Sequence, residues 1–257
     1  MKKIPITIPY IDARDQKKVA NAVINGWGDK CFENIKNFEL KFKKKYSLKY
    51  TSATSSCTGA LHLALMALNI KKGDEIILPD TTWVSCANAI KYVGAKPVFV
   101  DIKEDTWCIN PFEIEKKITK KTRAIMAVHL YGNVCDMESI IKIKKKYKLY
   151  LIEDCAESIG AKYKGRSVGS FGDVAVFSFH GTKTMTTGEG GMFACKNKRI
   201  WEKYQLLHNM GKNPKEVKYF FLEVVGLKYK ISNLHAALGE SQLEKIDHVI
   251  RMKKKNI

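Results

Sequence analysis

Apolar residues fall into two periods along this chain. Over residues 13–24, Val19, Ala20, Val23 and Ile24 recur at helical spacing, and Gly26 closes the segment. Residues 35–46 repeat the pattern with Phe38, Leu40, Phe42 and Tyr46 as the inward face, which leaves their lysines to solvent. From residue 75 onward, short β-branched runs alternate with amphipathic stretches. EIIL (75–78), PVFV (97–100), RAIMAVH (123–129), LYLI (149–152) and the runs 174–177 and 192–194 predict strands. Helices are predicted over 84–92, 111–118, 137–147, 200–207 and 232–246, with a basic segment at 249–257; the apolar stretch 219–225 has no decided period. This alternation specifies an α/β fold, a mostly parallel sheet covered by helices on both faces, whose ligands gather at the C-terminal strand ends.

Composition narrows the class. The 257 residues are 45% hydrophobic and 28% charged, enough for one large α/β domain, or one domain plus part of another, with no compositional case for disorder. Charges interrupt every apolar run well before the ~18 residues a membrane helix needs, and Met1-Lys2-Lys3 leads into IPITIPY, unlike a signal sequence. A cytoplasmic protein with no membrane partner is expected. Seven cysteines, odd in number and without a CxxC pair, predict reduced thiols, and six scattered histidines show no metal-ligand spacing. The formal charge of +19 comes largely from lysine runs such as Lys41-Phe42-Lys43-Lys44-Lys45 and Lys142-Ile143-Lys144-Lys145-Lys146 on amphipathic helices. Solvated helix faces account for them, and no nucleic-acid motif accompanies them, so no nucleic-acid partner is expected. An anionic small substrate would benefit from the field.

The chemistry concentrates in a few places. In FGDVAVFSFHGTKTMTTGEGGMF (171–193), Lys183 lies between an apolar strand and Gly188, Gly190 and Gly191, which are expected to supply positive-φ backbone. Hydroxylated neighbours and His180 surround it, and a desolvated lysine amine can be held neutral and attack a carbonyl carbon. Upstream, Thr51 to Thr58 is rich in hydroxyls and runs into an Ala/Leu helix, so the amides of Ser56, Cys57 and Thr58 form either a phosphate cradle or an ordinary N-cap. Trp83, His129, Tyr131 and Asp154 follow predicted strands and converge on one edge. An anchor lysine, an anion cradle, an aromatic and a strand-end aspartate are the set that pyridoxal phosphate needs, for its aldehyde, phosphate, ring face and ring nitrogen respectively.

Four motifs, in this order over essentially the whole chain, resemble the DegT/DnrJ/EryC1/StrS family of fold-type-I sugar aminotransferases. They are Ser55-Ser56-Cys57-Thr58-Gly59-Ala60-Leu61-His62, Val128-His129-Leu130-Tyr131-Gly132, Ile152-Glu153-Asp154-Cys155-Ala156-Glu157-Ser158, and Ser178-Phe179-His180-Gly181-Thr182-Lys183 with Thr187-Gly188-Glu189-Gly190-Gly191. The resemblance implies a fold-type-I large domain with a seven-stranded, mostly parallel sheet. It implies that Lys183 carries the cofactor aldehyde and shuttles the proton, that Asp154 pairs with the ring nitrogen, and that Trp83 stacks on the ring. Ser56, Cys57 and Thr58, together with Ser178, would hold the phosphate, and Glu157 would lie near the ring hydroxyl. Related dehydratases replace the anchor lysine with histidine, so Lys183 argues against that branch, and His180 is expected to pack or hydrogen-bond more readily than to transfer a proton.

The same resemblance implies transfer of an amino group from glutamate to a nucleotide-linked 4-keto-6-deoxy sugar. SFHGTKTMTTGEGG combined with AESIGAKYKG is most similar to the branch acting on GDP-linked sugars; dTDP- and UDP-linked sugars are the alternatives. A homodimer is expected. Relatives often have Gly-x-Asn-Tyr-Arg where this chain has Gly226-Leu227-Lys228-Tyr229-Lys230, so Lys228 either supplies the cationic contact across a dimer or that contact is lost. Residues 1–245 would form the large domain, and 246–257 the start of a small C-terminal domain that is otherwise absent. Such a chain is either truncated or minimal, and the alternative to an enzyme is a remnant that keeps the cofactor or sugar nucleotide without turnover.

Overall fold

Helices begin where the sequence offers caps. In the computed structural model, which describes residues 7–213 and 221–255, Asp12 caps α1 (Ala13–Asn25) in a reciprocal arrangement with Asp15. The second helix, α2 (Glu33–Lys45), buries Phe38 and Phe42. Ser56 caps α3 (Cys57–Ala67), which is followed by α4 (Ser85–Tyr92). Asn110 caps α5 (Pro111–Lys117), whose first residue is a proline, and Asp136 caps α6 (Met137–Tyr147). Asn197 caps α7 (Lys198–His208), and α8 (Asn233–Lys255) is the longest helix described.

The strands are β1 (Tyr50–Thr54), β2 (Glu75–Pro79), β3 (Lys96–Val100), β4 (Thr122–Val128), β5 (Tyr150–Asp154), the short hairpin β6 (Lys162–Tyr163) and β7 (Arg166–Ser167), then β8 (Val174–Ser178) and β9 (Gly191–Cys195). Seven of them form one sheet in the order β1-β9-β8-β5-β4-β2-β3. Only β9 runs against the others, pairing antiparallel with both β1 and β8. The expected mostly parallel sheet of seven strands is therefore present.

Alternate side chains of each strand go to opposite faces, as the pleat requires. Ile76, Leu78, Met126, Val176 and Phe193 join one core with α3, α4 and α7. Phe177, Met192 and Ala194 face the other way, against Phe38 and Phe42 of α2 and Leu243 and Ile246 of α8. Ile77, Ile125 and Leu151 pack with Ile114 of α5 and Ile140 and Ile143 of α6. Helices thus cover both faces, and the loops at the strand ends are left to form a site.

Several local expectations change. Leu40 of α2 is exposed, as are Val23 and Ile24 of α1. The first helix is tied to α8 by a buried ion pair of Asp15 with Lys245 and buries Ala22, so Val23 and Ile24 lie off its packing face. The hydroxylated run 51–54, read only as a lead-in to a helix, is the strand β1. Thr51, Ser52 and Thr54 are buried there because β9 takes their backbone groups, and Glu39 accepts from Ala53 N at 2.7 Å. The helix expected over 232–246 and the basic segment after it form one unbroken helix, α8, through Lys255. Of the stretch 219–225, residues 219 and 220 lie outside the described residues, and the rest is irregular and exposed. Among the described residues no helix is long and apolar enough to cross a membrane.

Candidate active site

The six strands β1, β2, β3, β4, β5 and β8 end on one edge of the sheet, and β9 begins there. A cavity of about 430 Å³ opens at this edge. Ser56, Cys57 and Thr58 line it from the head of α3, Trp83 from the loop before α4, Asp154 and Glu157 from the end of β5, and Ser178 and Lys183 from the turn after β8. Eight of the nine sequence-derived site residues therefore share one cavity. The ninth, Lys228, is exposed and does not line it.

Asp154 is the deepest of them. It is the last residue of β5, and its Oδ1 accepts from Ala156 N at 2.9 Å while its Oδ2 accepts from the Cys86 thiol at 3.1 Å. Burial pushes its carboxyl above the usual range, against the opposing pull of these hydrogen bonds and of Lys183 and His129. Such a carboxylate has strong reason to take a cationic or N–H partner from the cavity.

Lys183 sits in a tight turn. Its own N–H donates to His180 O at 2.9 Å, while Phe179 N donates to Gly190 O at 2.9 Å and Thr187 N to Phe179 O at 2.8 Å. The amine is not desolvated as the sequence suggested. Its side chain is 21% exposed, and Nζ lies 3.0 Å from Glu157 Oε1. The other Glu157 oxygen accepts from Tyr131 N at 3.0 Å, where Tyr131 adopts a left-handed backbone. Of the three glycines after the lysine, only Gly188 uses positive φ, at +83°. Gly190 and Gly191 are there for space: a Cβ on Gly191 would meet Cys57 N at 2.6 Å.

That close approach sets β9 against the head of α3. Ser56 Oγ accepts from Gly59 N at 3.0 Å, so its hydroxyl serves as the N-cap, and the first-turn amides of Cys57 and Thr58 have no carbonyl within the helix. The N-cap is therefore formed by the Ser56 side chain alone, and the amides of Cys57 and Thr58 stay available at the cavity edge. Ser178 Oγ accepts from His180 N at 3.4 Å on the facing wall. Trp83 stands at the mouth, 74% exposed, with its indole free to cover a flat guest.

The histidines take other work. His129 is fully buried and does not line the cavity: its Nδ1 accepts from Cys135 N at 3.2 Å, which leaves the ring hydrogen on Nε2 to donate to Glu153 Oε2 at 3.2 Å. Convergence of His129 on the site is thus not realised, because its ring is spent holding the wall behind it. His129, Glu153 and Cys155 have ligand-like spacing, yet this network already occupies the imidazole and the carboxylate. His180 lies at the cavity mouth, with Nδ1 accepting from Thr182 N at 3.3 Å and Nε2 3.5 Å from Glu189 Oε1. Sequence reasoning missed Thr82, Cys86 and Glu189. Thr82 lies in the loop before α4 and Cys86 in its first turn, so no helical period links them and their meeting came only with the fold.

The donor set fits pyridoxal phosphate: a primary amine, a buried carboxylate and free helix-head amides border one cavity, and the missing Cβ of Gly191 keeps the amide end open. Fold and site together define an aminotransferase of the fold-type-I class. The chain belongs to the DegT/DnrJ/EryC1/StrS aminotransferase family, whose sequence pattern matches residues 9–257, and pyridoxal phosphate is the cofactor of that family. It is 44% identical over 254 residues to the GDP-perosamine synthase of Escherichia coli O157:H7, covering 99% of this chain and 69% of that protein. The Vibrio cholerae GDP-perosamine synthase is 40% identical over 251 residues, covering 98% of this chain and 68% of that protein. Among solved structures, an aminotransferase from Psychrobacter cryohalolentis superposes with a TM-score of 0.87 at 35% identity, over 93% of this chain and 63% of its own. The Streptococcus pneumoniae protein Spr1654 in its PLP-form gives 0.90 at 29% identity, over 98% of this chain and 69% of its own. The chain spans about two thirds of the length of these relatives.

Proposed function

We propose that the chain acts as a pyridoxal-phosphate-dependent aminotransferase that moves an amino group from glutamate to a nucleotide-linked 4-keto-6-deoxy sugar, most closely in the manner of GDP-perosamine synthase. The observation that carries this reading is the meeting of Lys183, Glu157, Asp154 and the head of α3 in one cavity. The identity to GDP-perosamine synthases supports the sugar class, and 36% identity over 252 residues to a spore coat polysaccharide biosynthesis protein of Bacillus subtilis supports a role in making a surface glycan.

When bound, the cofactor supplies an electron-accepting ring that carries the amino group between the two substrates. The protein supplies the rest. The amides of Ser56, Cys57 and Thr58, with the hydroxyl of Ser178, bind the phosphate at the positive end of α3. Asp154 keeps a proton on the ring nitrogen, and Trp83 covers the ring face and excludes water. Lys183 Nζ would hold the cofactor through its aldehyde and would be the group that moves the proton at the reacting carbon. Glu157 Oε1, 3.0 Å from that nitrogen, is placed to take the proton an ammonium must lose before it can attack. Two copies would form a dimer, in which Lys228 would supply the cationic contact to the phosphate bound by the other copy.

The test is direct. Purified protein is mixed with pyridoxal phosphate and scanned in the visible, then given glutamate and a panel of GDP-, dTDP- and UDP-linked 4-keto-6-deoxy sugars, with products read by mass spectrometry. A violet-absorbing band that bleaches with glutamate, and a mass gain matching replacement of a ketone by an amine on the GDP-linked sugar, are expected. Protein that stays colourless with added cofactor sinks the reading.

A further inference from the structure

Asp154 has a partner in an unexpected place. Cys86, in the first turn of α4, is 1% exposed and turns its side chain onto the end of β5. Its Sγ lies 3.1 Å from Asp154 Oδ2 and 3.3 Å from Thr82 Oγ1. Chemistry gives this chain of contacts a direction. A carboxylate only accepts, so the thiol hydrogen is committed to Asp154, and the Thr82 hydroxyl must then donate to the sulfur. Oδ1 meanwhile accepts from Ala156 N at 2.9 Å. Each oxygen therefore has a fixed donor, one from α4 and one from the backbone after β5, and the carboxylate cannot turn without losing both.

We infer that Cys86 is a positioning residue for Asp154: its thiol, oriented by Thr82, fixes the carboxylate so that its unused lone pairs face the cavity. A thiol is a weaker donor than a hydroxyl. It sets the direction of the carboxylate while drawing off less of its charge than a serine would, which suits a group that has to hold a proton on a heterocyclic nitrogen. The other titratable groups facing Asp154 are Lys183 from the turn after β8, His129 after β4, Cys57 at the head of α3 and Cys155 next in the chain. Burial pushes the Cys57, Cys86 and Cys155 thiols well above their ordinary value, so Cys86 stays a donor across the neutral range. Thr82 lines the cavity, which leaves this relay open to the guest that Asp154 meets.

The cofactor role of this contact rests on the function proposed above, whereas the contact itself does not, and the test separates them. The infrared S–H stretch is read on cofactor-free protein as the difference between wild type and Cys86→Ser, which isolates one of the seven thiols. A band lowered by hydrogen bonding is expected, and it should rise in frequency in Asp154→Asn, where a neutral amide replaces the anion. Pyridoxal phosphate is then titrated into each variant and followed by absorbance. Loss of a hydrogen bond to a charged group predicts about tenfold weaker binding for Cys86→Ala, with Cys86→Ser within about twofold of wild type. The acid edge of binding should move to higher pH in Cys86→Ala and to lower pH in Cys86→Ser, because a donor to the carboxylate favours its charged form. An S–H band indifferent to Asp154→Asn overturns the inference. So does a Cys86→Ala variant that binds like wild type with an unmoved acid edge. Wild type that binds no cofactor defeats the proposed function instead, and the infrared result then decides the contact alone.

Discussion

Replacing Glu153 with glutamine removes the anion behind the cavity wall while keeping its shape. Glu153 is fully buried and takes four donors: Phe171 N at 2.7 Å and Gly172 N at 2.5 Å on Oε1, and Gly169 N at 2.8 Å and His129 Nε2 at 3.2 Å on Oε2. Whichever way a glutamine amide points, its NH2 faces two of those donors. Hydrogen bonds to a charged group are worth about 1.5–3 kcal/mol each, so losing two costs about 3–6 kcal/mol. At about 2–4 °C per kcal/mol for a chain of this size, the melting temperature should fall by about 6–24 °C. Circular dichroism melts of cofactor-free protein at neutral pH measure this. The pH dependence gives a second check. Burial pushes the Glu153 carboxyl up, but His129 and the backbone donors together outweigh it and hold the carboxyl below its usual range. A group with a depressed folded pKa contributes stability that is present above its ordinary value, about 4.3 for glutamate, and is lost as pH falls through the depressed value. The gap between wild type and Glu153→Gln should therefore narrow in acid. A variant melting within about 2 °C of wild type at neutral pH, against the shift estimated above, or a gap that stays constant in acid, refutes the account of this wall.

Lys183→Ala should abolish transamination and the violet band while leaving the melt close to wild type, since its side chain is partly exposed and paired only with Glu157; measurable turnover would contradict its assignment. In Asp154→Asn, single-turnover kinetics should show a loss of about two orders of magnitude or more, the scale seen when one preorganised polar group is removed from a reacting centre. Gly191→Ala puts a Cβ 2.6 Å from Cys57 N, so it should displace the head of α3 and weaken phosphate binding, read by titration with pyridoxal phosphate against pyridoxal. The loss should be confined to the phosphorylated form. Lys245→Ala strands the buried Asp15 carboxylate between α1 and α8 and should cost about 3–5 kcal/mol in denaturant unfolding, as breaking buried ion pairs does.

The α/β architecture and most of the cavity could be read from the chain. Strands such as residues 75–78 and 123–128 are apolar on both faces, and Lys183, Asp154 and Ser56 each sit at a local boundary between apolar run and turn, so their neighbourhoods betray them. Periodicity was a poorer guide where contacts come from afar. The hydroxylated β1 is a strand because β9, some 140 residues later, pairs with it, and α1 is held by an ion pair to α8 in place of an apolar face. The roles of like residues diverged for the same reason. His129 and Asp154 both follow apolar strands, yet the fold spends the imidazole on Glu153 inside the wall and turns the carboxylate toward the cavity. Local sequence encodes which segments bury apolar surface and where they stop. Which partner a buried polar atom finds depends on chain segments brought together across the sheet, and that pairing exists only once the molecule has folded.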